Sequence, residues 1–354
     1  MKFSWKQGFL LSCSVILVTG ATGLVGAATV VQLLEAGKKV RAFCRRPQRA
    51  QTHPLLQHVW NHDHLEWFQG DITELDDLEK AFDGVYHVIH AAAVVSYWPP
   101  KSAEMFRINI EGTANVVNLC SSMGIEKLVH ISSIASLGKV PFLGADPDRP
   151  SLVDESFPWD PSAEVSDYSI SKFKSEMEVW RGQEEGLSTL ILNPGVIVGP
   201  GFWNDSSARL FQTVFRGLKF YSPGMTGYVS VWDVARAAVW GVETSISGER
   251  FVLVSENRSF NDFFQSVAQS MNVSPPSWCP PRWLSELAWR LIEWKSKISK
   301  SEPMITQSTV RSAYSVVQYN GSKFTRMSGI AYEPLESAIQ QTGQIFLNEL
   351  GIKK

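Results

Sequence analysis

A tyrosine and a lysine four residues apart, Tyr168 and Lys172, have the clearest capacity for chemistry in this sequence. Residues at positions i and i+4 share one face of a helix, so the ammonium group would lie near the phenol. A neighbouring positive charge favours the ionised phenol and lowers its pKa, which is about 10 in free tyrosine. Such a phenol can donate a proton to a carbonyl oxygen or accept one from an alcohol.

Ser133 is the candidate partner of this pair. It follows an apolar, strand-like run, and its hydroxyl could hold the same substrate oxygen by a hydrogen bond. Two further tyrosines, Tyr97 and Tyr319, also precede a lysine by four residues. Prolines inside the first of these segments forbid a helix, and the second contains a glycine and lies far beyond the region where strands and helices alternate. Tyr168 is therefore the predicted acid and base.

Three glycines spaced by three residues stand between a predicted strand and a predicted helix. Small residues here let the backbone turn tightly and approach a pyrophosphate, which then receives amide donors from the helix N-terminus. A glycine turn inside a complete strand–helix–strand unit is typical of a dinucleotide site. The predicted contacts of this segment are Gly20, Thr22, Gly23, Leu24, Val25 and Gly26.

Arginines follow the second predicted strand, where proteins selective for NAD usually place an acid on the ribose 2′-hydroxyl. No Asp or Glu occurs between Glu35 and Asp63, whereas Arg41, Arg45 and Arg46 do. Guanidinium groups bind a 2′-phosphate by charge-assisted hydrogen bonds. The pattern favours NADP, with Arg45 on the phosphate, and leaves NAD open. The alternative is that these arginines only form a solvated face.

Two further segments complete the predicted cofactor site. Asp71 and Ile72 follow the third predicted strand, where Asp71 could meet the adenine. The fourth strand is followed by the small residues Ala91, Ala92 and Ala93, which leave room for a cofactor at the carboxyl end of the sheet.

The elements that must position these residues alternate regularly through the first half of the chain. The predicted strands are Val15–Val18, Val40–Cys44, Leu65–Phe68, Val85–His90, Leu128–Ser132 and Leu190–Leu192, with Phe251–Val254 as one more. The predicted helices include 26–36, 74–82, 259–271 and an amphipathic one at 283–298. For the apolar face of this last helix, core packing is favoured over a membrane or partner contact; the face consists of Leu284, Leu287, Leu291 and Ile298. This order predicts an α/β fold with a doubly wound parallel sheet of the Rossmann type.

A division into two domains is expected from the length of 354 residues. Residues 12–195 would form the NADP-binding Rossmann domain, to which residues 229–254 return. Residues 196–228 and 255–354 would form a smaller, mixed substrate-binding domain.

Composition excludes several classes of protein. The chain has 33 Lys and Arg against 35 Asp and Glu, and this balance argues against a nucleic-acid-binding protein. No run of about 18 apolar residues is present, so a spanning helix is not expected. An apolar stretch at residues 8–18 imitates a secretory signal, but no small-residue cleavage site ends it. The four cysteines are far apart, which argues against a metal cage or a disulfide framework and favours a reducing cytoplasm.

Taken together, these motifs resemble the extended short-chain dehydrogenases/reductases, the NAD-dependent epimerase/dehydratase family. The resemblance covers about residues 14–255 and is strongest to the dihydroflavonol-reductase-like and 3β-hydroxysteroid-dehydrogenase-like branches. It is carried by the glycine turn, His90–Ala93, Asn109–Thr113, Ser133, Tyr168, Lys172, Asn193–Gly195, Val40–Arg45 and Leu192–Pro200.

The resemblance implies roles for individual residues. Ser133, Tyr168 and Lys172 would be catalytic, and the latter two would also contact the cofactor, with Lys172 on the nicotinamide ribose. Pro194 and Val196 would line the nicotinamide. Asn109 would be structural and would position the strand before Ser133. The resemblance further implies a small-molecule substrate held between the two domains, no metal, and a homodimer as one arrangement that relatives adopt.

Two departures from the family pattern narrow the function. Ile134 and Ala135 follow Ser133, where the dehydratases of the family carry an Asp-Glu pair, and Asn193 stands where sugar-nucleotide enzymes often have Arg. The first hypothesis is therefore an NADP-dependent oxidoreductase that interconverts a ketone and a secondary alcohol. The alternatives are an epimerase of sugar nucleotides with tightly held NAD and a non-catalytic NADP-sensing protein.

Two further groups of residues have competing interpretations. Aromatic residues in segments expected to flank the active site would suit an apolar or aromatic substrate, although ordinary core packing explains them equally well. They are Trp98, Phe142, Phe157, Trp159, Phe202 and Trp203. A second group, His58, His62, Asp63 and His64, has a spacing that could bind a metal, but a polar surface loop is the favoured interpretation.

Overall fold

The computed structural model describes residues 14–138, 151–299 and 306–352. Residues 8–13 of the apolar N-terminal stretch and Phe142 therefore lie outside the described residues. The strands are β1 Val15–Thr19, β2 Lys39–Cys44, β3 Leu65–Gln69, β4 Val85–His90, β5 Lys127–Ile131, β6 Ser151–Val153, β7 Thr189–Pro194, β8 Val196–Val198, β9 Met225–Ser230, β10 Glu249–Leu253, β11 Glu256–Ser259 and β12 Val317–Tyr319.

Helices separate most of these strands. The α-helices are α1 Leu24–Glu35, α2 Leu75–Phe82, α3 Ser102–Phe106, α4 Gly112–Ser122, α5 Asp167–Glu184, α6 Arg209–Phe215, α7 Val231–Glu243, α8 Phe260–Ser270, α9 Arg282–Ser299, α10 Gln307–Ala313, α11 Ser322–Ser328 and α12 Leu335–Glu349. A π-helical turn, Arg107–Glu111, joins α3 to α4.

Seven strands form a parallel sheet in the order β3-β2-β1-β4-β5-β7-β10. This arrangement confirms the predicted doubly wound α/β fold. Each of the strands predicted from sequence is present, with ends that differ by at most two residues. The last strand of this sheet, β10, pairs with β7, and α7 packs on α1. The proposed division into two domains stays a prediction.

Both faces of the sheet are covered, as the alternation of side chains in β1 requires. Ile16 and Val18 point into a cluster that contains residues of α1 and α7. Leu17, between them, belongs to a second cluster with residues of α2, α4 and α5. Because successive side chains of a strand point to opposite faces, a wholly apolar strand must be buried on both sides. The carboxyl ends of the strands remain as the edge where polar groups can collect.

Short strands in the second half were not predicted from the sequence. β8, β9 and β11 form a mixed three-stranded sheet, and β6 pairs in parallel with β12. Tyr228 on β9 packs against Phe263 of α8 and shares an apolar cluster with Phe346 of α12. The pairing of β12 with β6 brings a segment near the C-terminus to the loop that precedes α5.

The sequence predicted the start of one helix in the second half and the buried face of another. α8 begins as predicted, because the Ser259 side chain caps it by accepting a hydrogen bond from the Asp262 amide. α9 is present as predicted, but its expected core-packing face is wrong in part. Trp289 is buried, whereas Leu287 and Leu291 are exposed.

The glycine turn after β1 depends on two close approaches of backbone to backbone. Gly20 has a φ of +66°, and a Cβ there would lie 2.7 Å from the Ala92 amide nitrogen. A Cβ on Gly26 would lie 2.2 Å from the Gly20 carbonyl oxygen. Only glycine lets α1 start this close to the strand edge.

Replacing Gly26 with alanine should therefore destabilise the protein more than an unhindered glycine substitution. The added methyl group must displace the Gly20 carbonyl, and we expect the free energy of unfolding to fall by about 2–3 kcal/mol. Gly37→Ala at the other end of α1 is the control, because Gly37 has a φ of +72° but open space around it. The control should cost only about 1 kcal/mol. Equal losses in urea denaturation would contradict the proposed steric contact.

Candidate active site

Tyr168 and Ser133 meet at the carboxyl edge of the sheet. The Ser166 side chain caps α5 by accepting a hydrogen bond from the Ser169 amide, and this places Tyr168 in the first turn of the helix. Ser133 lies two residues after β5, and its hydroxyl is close enough to the Tyr168 phenol to stabilise the phenolate. The structure therefore brings together the first two of the predicted catalytic side chains.

Lys172 lies one helical turn further along α5. Its side chain is buried, and its Nζ donates a hydrogen bond to the Ile131 carbonyl oxygen over 2.8 Å. Ile131 is the last residue of β5, two positions before Ser133. Burial lowers the pKa of Lys172 to about 8, although the negative charge of Glu176 opposes this shift. All three predicted side chains thus lie at one end of one strand.

The residues of the chain alone do not lower the pKa of Tyr168, contrary to what the nearby lysine led us to expect. Burial raises the pKa of Tyr168, and the hydrogen bond with Ser133 only partly offsets this effect. The ammonium of Lys172 is directed at a backbone carbonyl of β5. The physical reason is that removing the phenol from water disfavours its anion. Tyr168 is therefore a neutral phenol that can donate a proton at neutral pH.

A pair of buried histidines lies beside Lys172 and was not recognised from the sequence. The rings of His90, at the end of β4, and His130, on β5, are 5.2 Å apart. His90 Nδ1 hydrogen-bonds with Thr19 Oγ1 over 2.7 Å, and its Nε2 with Thr113 Oγ1 over 3.0 Å. Burial and then the charge of Lys172 lower the pKa of His90 to about 3, and burial lowers the pKa of His130 well below its usual value.

A second buried polar group supports the backbone of Ser133. Asn193 Nδ2 donates to the Ser133 carbonyl oxygen over 3.1 Å and to Glu176 Oε1 over 2.5 Å. Ser136 donates to the same carboxylate oxygen of Glu176. Arg250 Nη1 lies 3.6 Å from Glu176 Oε2. The asparagine that departs from the sugar-nucleotide pattern thus holds the serine loop and the buried carboxylate together.

Asn109 has a different structural role from the one the resemblance implied. Its Nδ2 donates to the Val94 carbonyl and to Ser171 Oγ, both over 2.9 Å, and its Oδ1 accepts from the Val94 amide over 2.7 Å. It therefore ties the segment after β4 to α5, and the expectation that it positions the strand before Ser133 is wrong. The π-helical turn that contains Asn109 lies against α5.

The predicted cofactor contacts lie along the same edge of the sheet. The glycine turn follows β1, and the small side chains of residues 91–93 follow β4 directly against it. Ile72 is buried against Gly112 and could offer only its backbone to a ligand. Pro194 ends β7 and Val196 begins β8. Thr22 hydrogen-bonds with the thiol of Cys44 at the end of β2, and Leu24 and Val25 begin α1. This narrow cradle of glycine and alanine fits a dinucleotide pyrophosphate.

We expected a cluster of arginines to bind a 2′-phosphate, and for Arg41 this expectation is wrong. Its Nε donates to Glu66 Oε2 over 2.8 Å, and its Nη1 donates to the Ala81 and Asp83 carbonyls. These contacts hold it between β2, β3 and α2. Arg45 is exposed just beyond the end of β2.

The positive charge of Arg45 acts on the carboxylate of Asp71. Burial would raise the pKa of Asp71, but hydrogen bonds from the Thr73 amide and hydroxyl and the charges of Arg45 and Arg107 lower it. The two predicted contacts for the adenosine end of the cofactor are thus neighbours. Asp71 is an anion there at neutral pH.

Of the two tyrosines that the sequence argued against, Tyr97 lies beside Tyr168, and Tyr319 lies next to Tyr97. The ring of Tyr97 is 5.7 Å from that of Tyr168, with an interplanar angle of 67°. Tyr97 is 37% exposed, but the surrounding protein still removes water from its phenol and raises its pKa, and the neighbouring phenols of Tyr168 and Tyr319 add to the effect. Burial raises the pKa of Tyr319 to about 12. The pairing of β12 with β6 and two hydrogen bonds between the Tyr319 backbone and the Asn257 side chain bring Tyr319 here, so no local signal in the sequence could have identified it.

Ordinary packing accounts for three of the aromatic residues expected beside the active site. Phe202 meets the ring of His53 at 4.9 Å, and Trp203 meets Phe346 at 4.9 Å. Phe157 packs against a small buried cluster next to β6. For these residues the core-packing interpretation is the correct one.

Two others remain near the site. Trp159 stacks on Phe173 of α5 with ring centroids 4.1 Å apart. Trp98 is half-buried and adjoins Tyr97. Trp159 thus packs on the helix that carries Tyr168, and Trp98 follows the tyrosine that lies beside it.

The histidine-rich segment after α1 and β2 is exposed. His58, His62 and His64 all face solvent, and His62 Nδ1 accepts a hydrogen bond from the His64 amide. Within residues 14–138, 151–299 and 306–352, no three His, Cys, Asp or Glu side chains are grouped as a metal site would require.

Comparison with known proteins agrees with this geometry. The family model described as "NAD dependent epimerase/dehydratase family" matches residues 16–253. The chain is 28% identical over 348 residues to a "Putative dihydroflavonol 4-reductase" of Synechocystis sp., covering 95% of each chain. It is 29% identical over 277 residues to "Sterol demethylase protein B" of Methylococcus capsulatus, covering 77% of this chain and 79% of the other.

Solved structures give a similar result. The crystal structure of gox2253 superposes with a TM-score of 0.76 at 28% identity, covering 96% of this chain and all of the other. Structures at 15–22% identity, among them a UDP-glucose 4-epimerase in complex with NAD, share the fold. In the part of the chain that is described, no helix is both long and apolar enough to cross a bilayer.

The buried histidines predict sensitivity to acid. The pKa of His90 is about 3 in the folded protein and about 6.5 in the unfolded chain, so between these values only the unfolded chain takes up the proton. The contribution of His90 to stability is complete above pH 6.5 and is lost as the pH falls, by up to about 1.4 kcal/mol per unit.

We expect His90→Gln to reduce the slope of unfolding free energy against pH between 6.5 and 4.5, measured by urea denaturation. His62→Gln, on the surface, is the control and should keep the wild-type slope. An unchanged slope in His90→Gln would contradict the assignment, whatever its effect on stability at pH 7.5.

Proposed function

The chain belongs to the NAD-dependent epimerase/dehydratase family, and from this membership we propose that it is an NADP-dependent reductase that interconverts a ketone and a secondary alcohol. The observation that carries the proposal is that Ser133 and Tyr168 lie next to each other at the sheet edge, one helical turn from the buried ammonium of Lys172. A serine, a tyrosine and a lysine grouped in this way have no use in a protein that only senses a nucleotide.

Each of the three side chains has a distinct task. When bound, the nicotinamide cofactor supplies or accepts the hydride. The Ser133 hydroxyl holds the substrate oxygen, and Tyr168 donates a proton to it during reduction. The raised pKa of Tyr168 favours this role because it keeps the proton on the phenol until an alkoxide develops. Lys172 supplies a fixed positive charge and a donor for the nicotinamide ribose.

The proposed cofactor site uses the glycine turn, the alanines at 91–93, Asp71 and Arg45. The preference for NADP rests on Arg45, which is exposed just beyond β2, and on the absence of an acid between Glu35 and Asp63. A guanidinium at this position attracts a 2′-phosphate, whereas a carboxylate would repel it. Pro194 and Val196 would lie along the nicotinamide.

The proposed substrate is small and apolar or aromatic. Tyr97 presents its ring beside Tyr168, Tyr319 lies next to Tyr97, and Trp159 stacks on Phe173 of the helix that carries Tyr168. The names of the relatives, a dihydroflavonol reductase and a sterol demethylase protein, agree with an apolar or polyphenolic molecule. The proposed compartment is the cytoplasm, in keeping with the free thiols of Cys44, Cys120 and Cys279.

The alternative is an epimerase of sugar nucleotides that uses the same three side chains. Asn193, at the position where such enzymes often carry Arg, is held by Glu176 and the Ser133 carbonyl and is buried away from any substrate. NAD that stays bound through purification would favour the epimerase, whereas exchangeable NADPH would favour the reductase.

Tyr168→Phe should abolish reduction while cofactor binding persists. Loss of the proton donor is expected to lower kcat at least about 100-fold. NADPH oxidation is measured against aromatic, steroidal and short aliphatic ketones, with nucleotide sugars as a comparison, and binding is followed by NADPH fluorescence. Tyr86→Phe, at an exposed tyrosine of β4, is the matched control and should retain full activity. Turnover by Tyr168→Phe at the wild-type rate would exclude the proposed mechanism.

Arg45→Ala should weaken NADPH binding and leave NADH binding nearly unchanged. Loss of a charge-assisted hydrogen bond of about 1.5–3 kcal/mol raises the Kd for NADPH by roughly 10- to 100-fold. Arg41→Ala is the control, because Arg41 is held by Glu66 and should not affect cofactor preference. A similar loss of affinity for both cofactors in Arg45→Ala would contradict the phosphate assignment.

A further inference from the structure

An exposed apolar surface surrounds the first half of α9, and we call it the α9 surface. It consists of Phe220, Trp278, Trp283, Leu287 and Leu291, which are 49%, 48%, 68%, 47% and 60% exposed. The three helical residues are spaced by four, so they lie along one side of the helix. Trp289, on the opposite side, is buried. The helix is thus anchored to the protein by one side and leaves the other to solvent.

The two parts of this surface are continuous along the chain. The rings of Phe220 and Trp278 meet at 5.7 Å. The Trp278 amide donates to the Lys219 carbonyl, and the Tyr221 amide donates to the Trp278 carbonyl. Only three residues then separate Trp278 from the start of α9. Trp283 therefore lies within about 18 Å of Trp278 at full extension.

A basic groove adjoins the aromatic pair. It has a volume of about 550 Å³, and Phe220 is one of its walls. Arg209, Arg216 and Lys219 also line it, and no carboxylate does. No ion pair is formed by these three cations among the residues that the structure describes. The exposed ring of Phe220, which meets Trp278, thus stands beside three cations that form no ion pair among the described residues.

We propose that the α9 surface docks the protein on an anionic lipid bilayer. Helices of this kind lie in the plane of the membrane interface, with Trp, Phe and Leu among the acyl chains. Arg and Lys keep their charged ends at the level of the headgroups, where each adds about 1 kcal/mol on anionic lipids. Such a helix needs no spanning length, in accord with the absence of a spanning helix among the described residues.

Charge favours a bilayer over a second copy of the chain as the occupant. A symmetric dimer through this surface would place the same patch of each copy against the other. Arg209, Arg216 and Lys219 would then face three identical cations, and Glu286, the acidic residue on this part of α9, is already paired with Arg290. Like charges opposed in an interface are costly, whereas a phosphate-rich lipid surface neutralises them.

The test measures binding of the full chain to vesicles. Sedimentation with phosphatidylcholine vesicles is compared with sedimentation with vesicles that contain about 30% phosphatidylglycerol. We expect binding to the anionic vesicles, weak binding to the neutral ones, and release by salt because the headgroup interaction is screened. The triple variant Trp283→Ser, Leu287→Ser, Leu291→Ser should bind at least about tenfold more weakly.

A second triple variant tests the groove. Arg209→Gln, Arg216→Gln, Lys219→Gln should lose roughly 100-fold in partitioning to anionic vesicles and nothing to neutral ones.

The matched control for the α9 variant is Leu75→Ser, Met123→Ser, which removes two exposed apolar side chains from the side of the large sheet and should bind as wild type. Thermal unfolding checks that each variant is folded.

Three outcomes would overturn the proposal. The first is wild-type protein that stays in solution with anionic vesicles. The second is a folded α9 variant that binds them as tightly as wild type. The third is a dimer in light scattering that the α9 substitutions convert to monomer, because the surface would then be a contact between copies. None of these outcomes depends on the reductase assignment.

Discussion

One buried positive charge, the ammonium of Lys172, constrains the centre of this protein. It has left water, and it is held by a carbonyl oxygen at the end of β5 and by the nearby negative charge of Glu176. Its neighbours must adapt to it. His90 and His130 remain neutral because burial disfavours their charged forms and because the positive charge of Lys172 adds to this effect. Polar side chains from four strands therefore accumulate below the reaction site, where an apolar core would otherwise be expected.

Much of this arrangement can be inferred from the sequence because it depends on local geometry. A tyrosine and a lysine one turn apart share a helix face wherever the helix lies, and the glycine turn marks a strand-to-helix junction by its composition alone. Parallel strands then bring Ser133 and the glycine turn to one edge of the sheet, so the alternation of elements was enough to place them together. These inferences needed no knowledge of side-chain packing.

Other features depend on contacts between distant segments, which spacing cannot reveal. Arg41 stands beside Arg45 in the sequence pattern, yet Glu66 on the neighbouring strand holds it away from the cofactor edge. Asn109 ties α5 to the segment after β4 rather than supporting β5. An amphipathic pattern also does not say which apolar side is buried. Leu287 looked like a core residue in the sequence, but α9 is anchored by the side that carries Trp289.

The parallel pairing of β12 with β6 has a consequence for synthesis. Through this pairing, which joins two segments separated by more than 150 residues, and through bonds with Asn257, Tyr319 comes to lie next to Tyr97. During translation the strands of the large sheet are all synthesised before β12, so they can assemble while this side of Tyr97 is still uncovered. A chain that has not yet reached β12 would therefore lack part of the aromatic wall near the phenol of Tyr168.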